Sequence, residues 1–240
     1  MDFTAFKQGI FKLQSEQQFN EFALSFFHYQ YRNNSVYHQF VDTLGVNSDE
    51  VNQTDRIPFL PVSFFKTHKI LSGDITEELV FESSGTSGSA TSRHYVADAG
   101  LYEMSFTKGF ELAYKDLSEY ALFALLPSYL ERGNSSLVYM VDRLMHHTNK
   151  QMSGFYLSDL AGLKQQLAQT AGSGVKIMLM GVTFALLEMA ENFPVRIPDA
   201  IIIETGGMKG RRRELTRMEL HEKLCEGFGV ENIHSEYGMT

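Results

Sequence analysis

Between the apolar run Leu79-Val80-Phe81 and the strand-like Tyr95-Val96-Ala97 lies Glu82-Ser83-Ser84-Gly85-Thr86-Ser87-Gly88-Ser89-Ala90-Thr91-Ser92-Arg93-His94. Its composition suits the holding of phosphate. Two glycines let the backbone aim its N–H groups at one point, four hydroxyls between Ser83 and Ser87 add donors, and Arg93 brings fixed charge. The plainer reading is a hairpin turn, since Ser, Thr and Gly cluster between strands for that reason alone, but a two-residue turn does not need so long a run. Two other phosphate or nucleophile motifs are excluded. Five residues after Gly85 stands Ala90, with no Gly-Lys-Ser/Thr, and Ser87 is followed at once by Gly88 where a nucleophile elbow needs its glycine two places on.

Two later segments have a similar character. Glu204-Thr205-Gly206-Gly207-Met208-Lys209-Gly210 is glycine-rich, and Ser235-Glu236-Tyr237-Gly238-Met239-Thr240 ends the chain. Upstream of the first loop stands Ile57-Pro58-Phe59-Leu60-Pro61-Val62-Ser63-Phe64-Phe65-Lys66. Taken together and in this order, from about Ile57 to the C-terminus, these segments resemble the acyl-protein synthetases of bacterial bioluminescence. Those are fatty acid:protein ligases within the adenylate-forming superfamily, which activates carboxylic acids with ATP.

The resemblance implies a division of labour. Ser83, Ser84, Gly85, Thr86, Ser87 and Gly88 would hold the pyrophosphate end of ATP, and Thr240 would touch the α-phosphate. Gly206, Gly207 and Tyr237 would frame the adenine beside Gly238, with Lys209 near a phosphate. The superfamily usually has a lysine after the second loop glycine, where this chain has Ser89, and Arg93 is the candidate to supply that charge. Thr86, Arg93 and Thr240 are therefore the expected catalytic residues, ATP and Mg2+ the expected cofactors, and no metal ligand is assigned to the chain itself. The substrate would be a fatty or other acyl carboxylate and the acceptor a thiol, either a protein cysteine or coenzyme A. Thr240 falls inside the Tyr-Gly-x-Thr motif. The magnesium-binding carboxylate, the ribose-binding aspartate, the C-terminal lid with its lysine and the acceptor cysteine would all follow it, so weak or absent turnover is expected of these residues alone.

The elements that must position these residues are readable from pattern. The 240 residues carry a net charge of −8, which argues against general nucleic-acid binding, and 43% hydrophobic residues, which suits a folded globular chain. One cysteine, Cys225, excludes an intrachain disulfide. The N-terminus lacks a basic segment followed by an apolar run, and no transmembrane segment is visible, so a cytoplasmic protein is expected. Residues 1–56 read as an N-terminal helical segment and linker, with Phe19, Phe22, Ala23, Phe26 and Phe27 on one helical face. Residues 57–240 read as an α/β core with a mostly parallel sheet flanked by helices, the adenylate-forming N-terminal domain without its C-terminal lid. Strands are expected at 79–81, 120–126, 175–180, 200–203 and 232–234, and helices at 98–114, 135–145, 159–171, 183–191 and 214–226. In such a sheet ligands bind beyond the C-terminal strand ends, so the three motif loops, each following a strand, are expected to meet at one edge.

Several other residues invite chemistry and are read more plainly. His28 and His38 are structural or surface residues, His94 a structural neighbour, and His146-His147 the charged end of a helix. His221 and Cys225 lie four apart on one helix face, but two ligands make no zinc site. Cys225 sits in a helical pattern as a small buried residue and is not assumed to be the acyl acceptor. Pro127-Ser128-Tyr129-Leu130 follows a buried strand, as lining of an acyl channel or simply as a connection. Two readings compete with a protein-directed ligase: an acyl- or aryl-CoA ligase, and a non-catalytic nucleotide-fold module that docks through its Phe-rich helices. A serine hydrolase lacks both an elbow and a partner histidine.

Overall fold

The computed structural model describes residues 3–83, 91–127, 134–207, 213 and 215–238. They divide into two compact units, residues 1–102 and 103–239.

The first unit opens with three helices, α1 (Phe3–Gly9), α2 (Glu16–Asn33) and α3 (Ser35–Thr43). Helix α2 starts where Ser15 accepts a hydrogen bond from the Gln18 N–H, and α3 where the buried Asn34 accepts one from Tyr37 N–H at 3.0 Å. Of the expected Phe face, Phe22 and Phe26 pack on Phe6 with ring centroids 5.3 and 4.2 Å away, and Phe27 is buried. Phe19 is left 56% exposed, one turn short of where α1 crosses that face. Phe27, Tyr37, Val41 and Val51 form this unit's core. Tyr37 O–H donates to Pro58 O at 2.6 Å and so ties the extended proline segment to the helices. His38 is a surface residue, stacked on Tyr31 and 3.2 Å from Asp42 one turn later.

Strands β1 (Leu79–Glu82) and β2 (Arg93–Val96) then pair antiparallel, Leu79 opposite Val96 and Glu82 opposite Arg93. This corrects one expectation. The Ser/Thr/Gly-rich run joins the two strands of a hairpin and does not follow a strand of the parallel sheet. The reason is short range: strands separated by so few residues can pair only antiparallel, because a parallel return needs a crossover.

The second unit holds a five-stranded, wholly parallel sheet in the order β4-β3-β5-β6-β7. Its strands are β3 (Tyr120–Leu125), β4 (Gly154–Tyr156), β5 (Lys176–Val182), β6 (Ile201–Thr205) and β7 (Ile233–Glu236). Between and before them run α4 (Ala99–Tyr114), α5 (Ser136–Met145), α6 (Leu160–Ala171), α7 (Thr183–Asn192) and α8 (Arg217–Phe228). Every residue of β3 is buried, as a central strand covered on both faces requires, and Phe123, Leu125, Leu179 and Met180 are fully enclosed. Three of these helices start at a side-chain cap. Ser135 caps α5, Asp159 caps α6, and Thr216 and Glu219 form a reciprocal capping box that sets α8 at Arg217, three residues later than its pattern predicts. The short edge strand β4 carries no sequence signal of its own. The expected architecture, a parallel sheet flanked by helices with an N-terminal helical segment, is the one observed. Chain order reverses between β3 and β5, the place in an open sheet where loops splay and ligands bind.

Candidate functional site

Strands β5, β6 and β7 are neighbours and parallel, so their C-terminal ends share one edge, and there the second unit gathers buried polar groups. Strand β6 runs on through Glu204 and Thr205, and β7 through Ser235 and Glu236, with Glu204 in register with Ser235 and Thr205 with Glu236. The side chains bond across this register. Ser235 O–H donates to Glu204 Oε1 and Thr205 O–H to Glu236 Oε2, both at 2.6 Å. From the first turn of α7, Thr183 O–H reaches Glu204 Oε2 at 2.9 Å, Gly206 O at 3.0 Å and Thr205 O at 3.2 Å. One hydroxyl proton thus has three oxygens within reach.

The consequence is a clasp. Glu204 is 8% exposed and Thr183 4%, so the Thr183 bonds to Glu204 and to Thr205 O form away from water, where an unpaired carboxylate or carbonyl is costly, while the bonds to Gly206, Ser235 and Glu236 lie at the partly exposed margin. The clasp fixes the point at which the glycine-rich segment leaves β6. Gly206 has φ of 74°, a left-handed turn that favours glycine, and its carbonyl is the one held by Thr183. His221 on α8 turns a buried Nε2, without a hydrogen bond among the described residues, towards Glu204 Oε1 at 3.7 Å. Beyond β7 the Tyr237 ring is 85% exposed, an open aromatic face next to the same edge. Tyr114 and His234 share a hydrogen bond of 2.9 Å beside it, and burial raises the Tyr114 phenol above its ordinary value.

Of the predicted adenine-side residues, the structure therefore brings Gly206, Gly207, Tyr237 and Gly238 to neighbouring strand ends. Lys209 and Thr240 lie outside the described residues. In the first unit Ser83 and Arg93 flank the hairpin loop, whereas Ser84, Gly85, Thr86, Ser87 and Gly88 lie outside the described residues. Ser83 Oγ accepts from Ser92 N–H at 3.0 Å and its own N–H donates to Ser92 O at 3.0 Å, closing the base of the loop. Arg93 Nε donates to Glu82 Oε1 at 3.0 Å, and hydrogen bonds to Tyr95 and Glu82 hold its guanidinium above its ordinary value. His94 packs edge-on to Phe65, and burial pushes its imidazole pKa down. The Cys225 thiol is half-buried and raised by that burial, the opposite of a reactive thiolate. Pro127 follows β3 at the point where chain order reverses, while Ser128, Tyr129 and Leu130 lie outside the described residues.

Thr183, Glu204, Ser235 and Glu236 carry no expected role in the sequence reading. Glu204 and Ser235-Glu236 stand inside the quoted motifs, and that position was their only signal. The partnership with Thr183 spans 21 residues and leaves no local trace.

Residues 5–99 match the family model described as acyl-protein synthetase, LuxE. A long-chain-fatty-acid–luciferin-component ligase of Vibrio harveyi is 28% identical over 220 residues, covering 86% of this chain and 57% of that relative. The chain thus spans little more than half the length of the relative. The family match takes in α1, α2 and α3, which carry no motif, as well as the proline segment and the hairpin.

Proposed function

We propose that this chain, similar in sequence to the acyl-protein synthetases, takes part in ATP-dependent activation of a fatty acyl carboxylate and its transfer to a thiol, a protein cysteine in preference to coenzyme A. The carboxylate oxygen attacks the α-phosphorus in line, the bond to the bridging oxygen breaks, and pyrophosphate leaves with that electron pair. A thiolate then attacks the acyl carbonyl carbon of the adenylate, the C–S bond forms, the C–O bond to phosphate breaks, and AMP leaves with that electron pair.

In this reading Ser83, Ser84, Gly85, Thr86, Ser87 and Gly88 hold the departing pyrophosphate with Arg93, and Thr240 contacts the α-phosphate with Lys209 nearby. Gly206, Gly207, Tyr237 and Gly238 receive the adenine. The observation that supports it most is the clasp at β6 and β7. Two segments that the resemblance assigns to one nucleotide leave neighbouring parallel strands whose last residues are bonded to each other at 2.6 Å. Magnesium would arrive with the nucleotide and neutralise its phosphates. Among the described residues no cluster of three His, Cys, Asp or Glu could hold a metal ion, and none is assigned to it.

The test is calorimetric binding of a non-hydrolysable acyl-adenylate mimic to the 240-residue chain, beside Gly207→Val and Tyr237→Ala. A parent that binds, with each substitution weakening binding about tenfold or more, is the expected result, on the scale of one lost stacking or backbone contact. A parent that does not bind at millimolar concentration sinks the reading in favour of a non-catalytic module.

A further inference from the structure

We infer that the first unit carries an oligophosphate-binding basin whose principal cations are Lys66 and Lys69, residues to which no role is otherwise assigned. The basin is open, of about 340 Å³, and lies between the 3-10 turn Val62–Lys66 with the residues after it and strand β2. Lys66, Lys69 and Arg93 line it, with Thr67 and Thr91 as hydroxyl donors and Tyr95 as a wall. Three cations converge here in a chain of net charge −8.

Their surroundings hold them in place without cancelling them. Lys69 Nζ is 2.6 Å from Glu77 and stands over the Tyr95 ring at 5.1 Å, and Arg93 is paired with Glu82 at 3.0 Å. Lys66 has no ion pair among the described residues. Two carboxylates against three cations leave one positive charge over, in a basin with hydroxyls at its rim. His68 adds a fourth basic residue to the lining, its Nδ1 2.8 Å from Thr67 Oγ1 and its ring stacked on Phe64 at 5.1 Å. Ammonium point charges beside a guanidinium fork suit phosphate oxygens, and the volume accepts more than one phosphoryl group. An oligophosphate therefore fits better than a single carboxylate. The anion's identity as the pyrophosphate of acyl activation rests on the function proposed above; the basin itself does not.

Equilibrium dialysis of radiolabelled pyrophosphate against the 240-residue chain tests it, with Lys66→Gln, Lys69→Gln and, as a control away from the basin, Lys12→Gln. Pyrophosphate should bind, weaken roughly tenfold in either basin variant on loss of one charge-assisted contact, weaken further as salt rises, and be unchanged in the control. Lys66 and Lys69 are exposed, so the variants should keep the parent's circular dichroism. No binding at millimolar pyrophosphate, binding by both basin variants as tight as the parent's, or equal competition by orthophosphate and sulfate each overturns the inference. An acyl-adenylate mimic lacks the leaving pyrophosphate, so the two failures separate. A mimic that binds without pyrophosphate binding removes the basin alone, and the reverse removes the proposed reaction alone.

Discussion

Thr183 shows how a single side chain can govern where a loop begins. Its hydroxyl is within hydrogen-bond reach of Glu204, Thr205 and Gly206 together, where β6 gives way to the glycine-rich segment. Replacing it with valine keeps the volume but leaves the buried Glu204 Oε2 and Thr205 carbonyl without this donor and releases the exposed Gly206. Thr183→Val should therefore cost roughly 1–3 kcal/mol in urea unfolding. It should also weaken the acyl-adenylate mimic by more than the stability loss alone explains, because Gly206 is no longer held. Thr183→Ser should restore most of both. A valine variant of parental stability and affinity would show the clasp to be idle.

Among the elements, α7 and α8 approach most closely at Gly227. A methyl group there would lie 2.5 Å from Ala190 Cβ and 2.8 Å from Ala190 O, and a backbone neighbour cannot swing aside. The contact matters because α7 begins at Thr183 and α8 carries His221, so the spacing of the two helices sets two members of the polar cluster. Gly227→Ala gains helix propensity of up to about 1 kcal/mol, yet must part the helices, and overpacking typically costs 1–3 kcal/mol. Net destabilisation in thermal unfolding is expected. A net stabilised variant would mean that the helices separate freely.

The whole molecule comprises two units, each with its own buried core, and the first is coupled to alkaline pH through Tyr37. Burial pushes the Tyr37 phenol up to about 12, against about 10 for an unfolded tyrosine. The sign follows from linkage. Between those values the unfolded chain releases the proton and the folded chain keeps it, so stability present below pH 10 is lost as pH climbs towards 12. Tyr37→Phe should flatten that decline while costing about 0.5–1.5 kcal/mol at pH 8 through the lost bond to Pro58 O. Chemical denaturation of both proteins at pH 8 and pH 11 measures it, and an unchanged alkaline slope in the variant would place the sensitivity elsewhere. No helix among the described residues is long and apolar enough to cross a membrane.

By itself the sequence determined what local chemistry determines. Periodicity and buried apolar runs located the helices of the second unit and four of the five parallel strands, because those signals repeat within one element. The motif residues were legible for the same reason, as glycines, hydroxyls and an aromatic in short runs. Only the tertiary structure decided which runs become neighbours. It paired the strands on either side of the Ser/Thr/Gly-rich run antiparallel, set β6 beside β7 so that Glu204 meets Ser235, and brought Lys66 and Lys69 to Arg93. Side chains 21 to 31 residues apart find one another through the packing of whole strands and helices, and no spacing along the chain records that event.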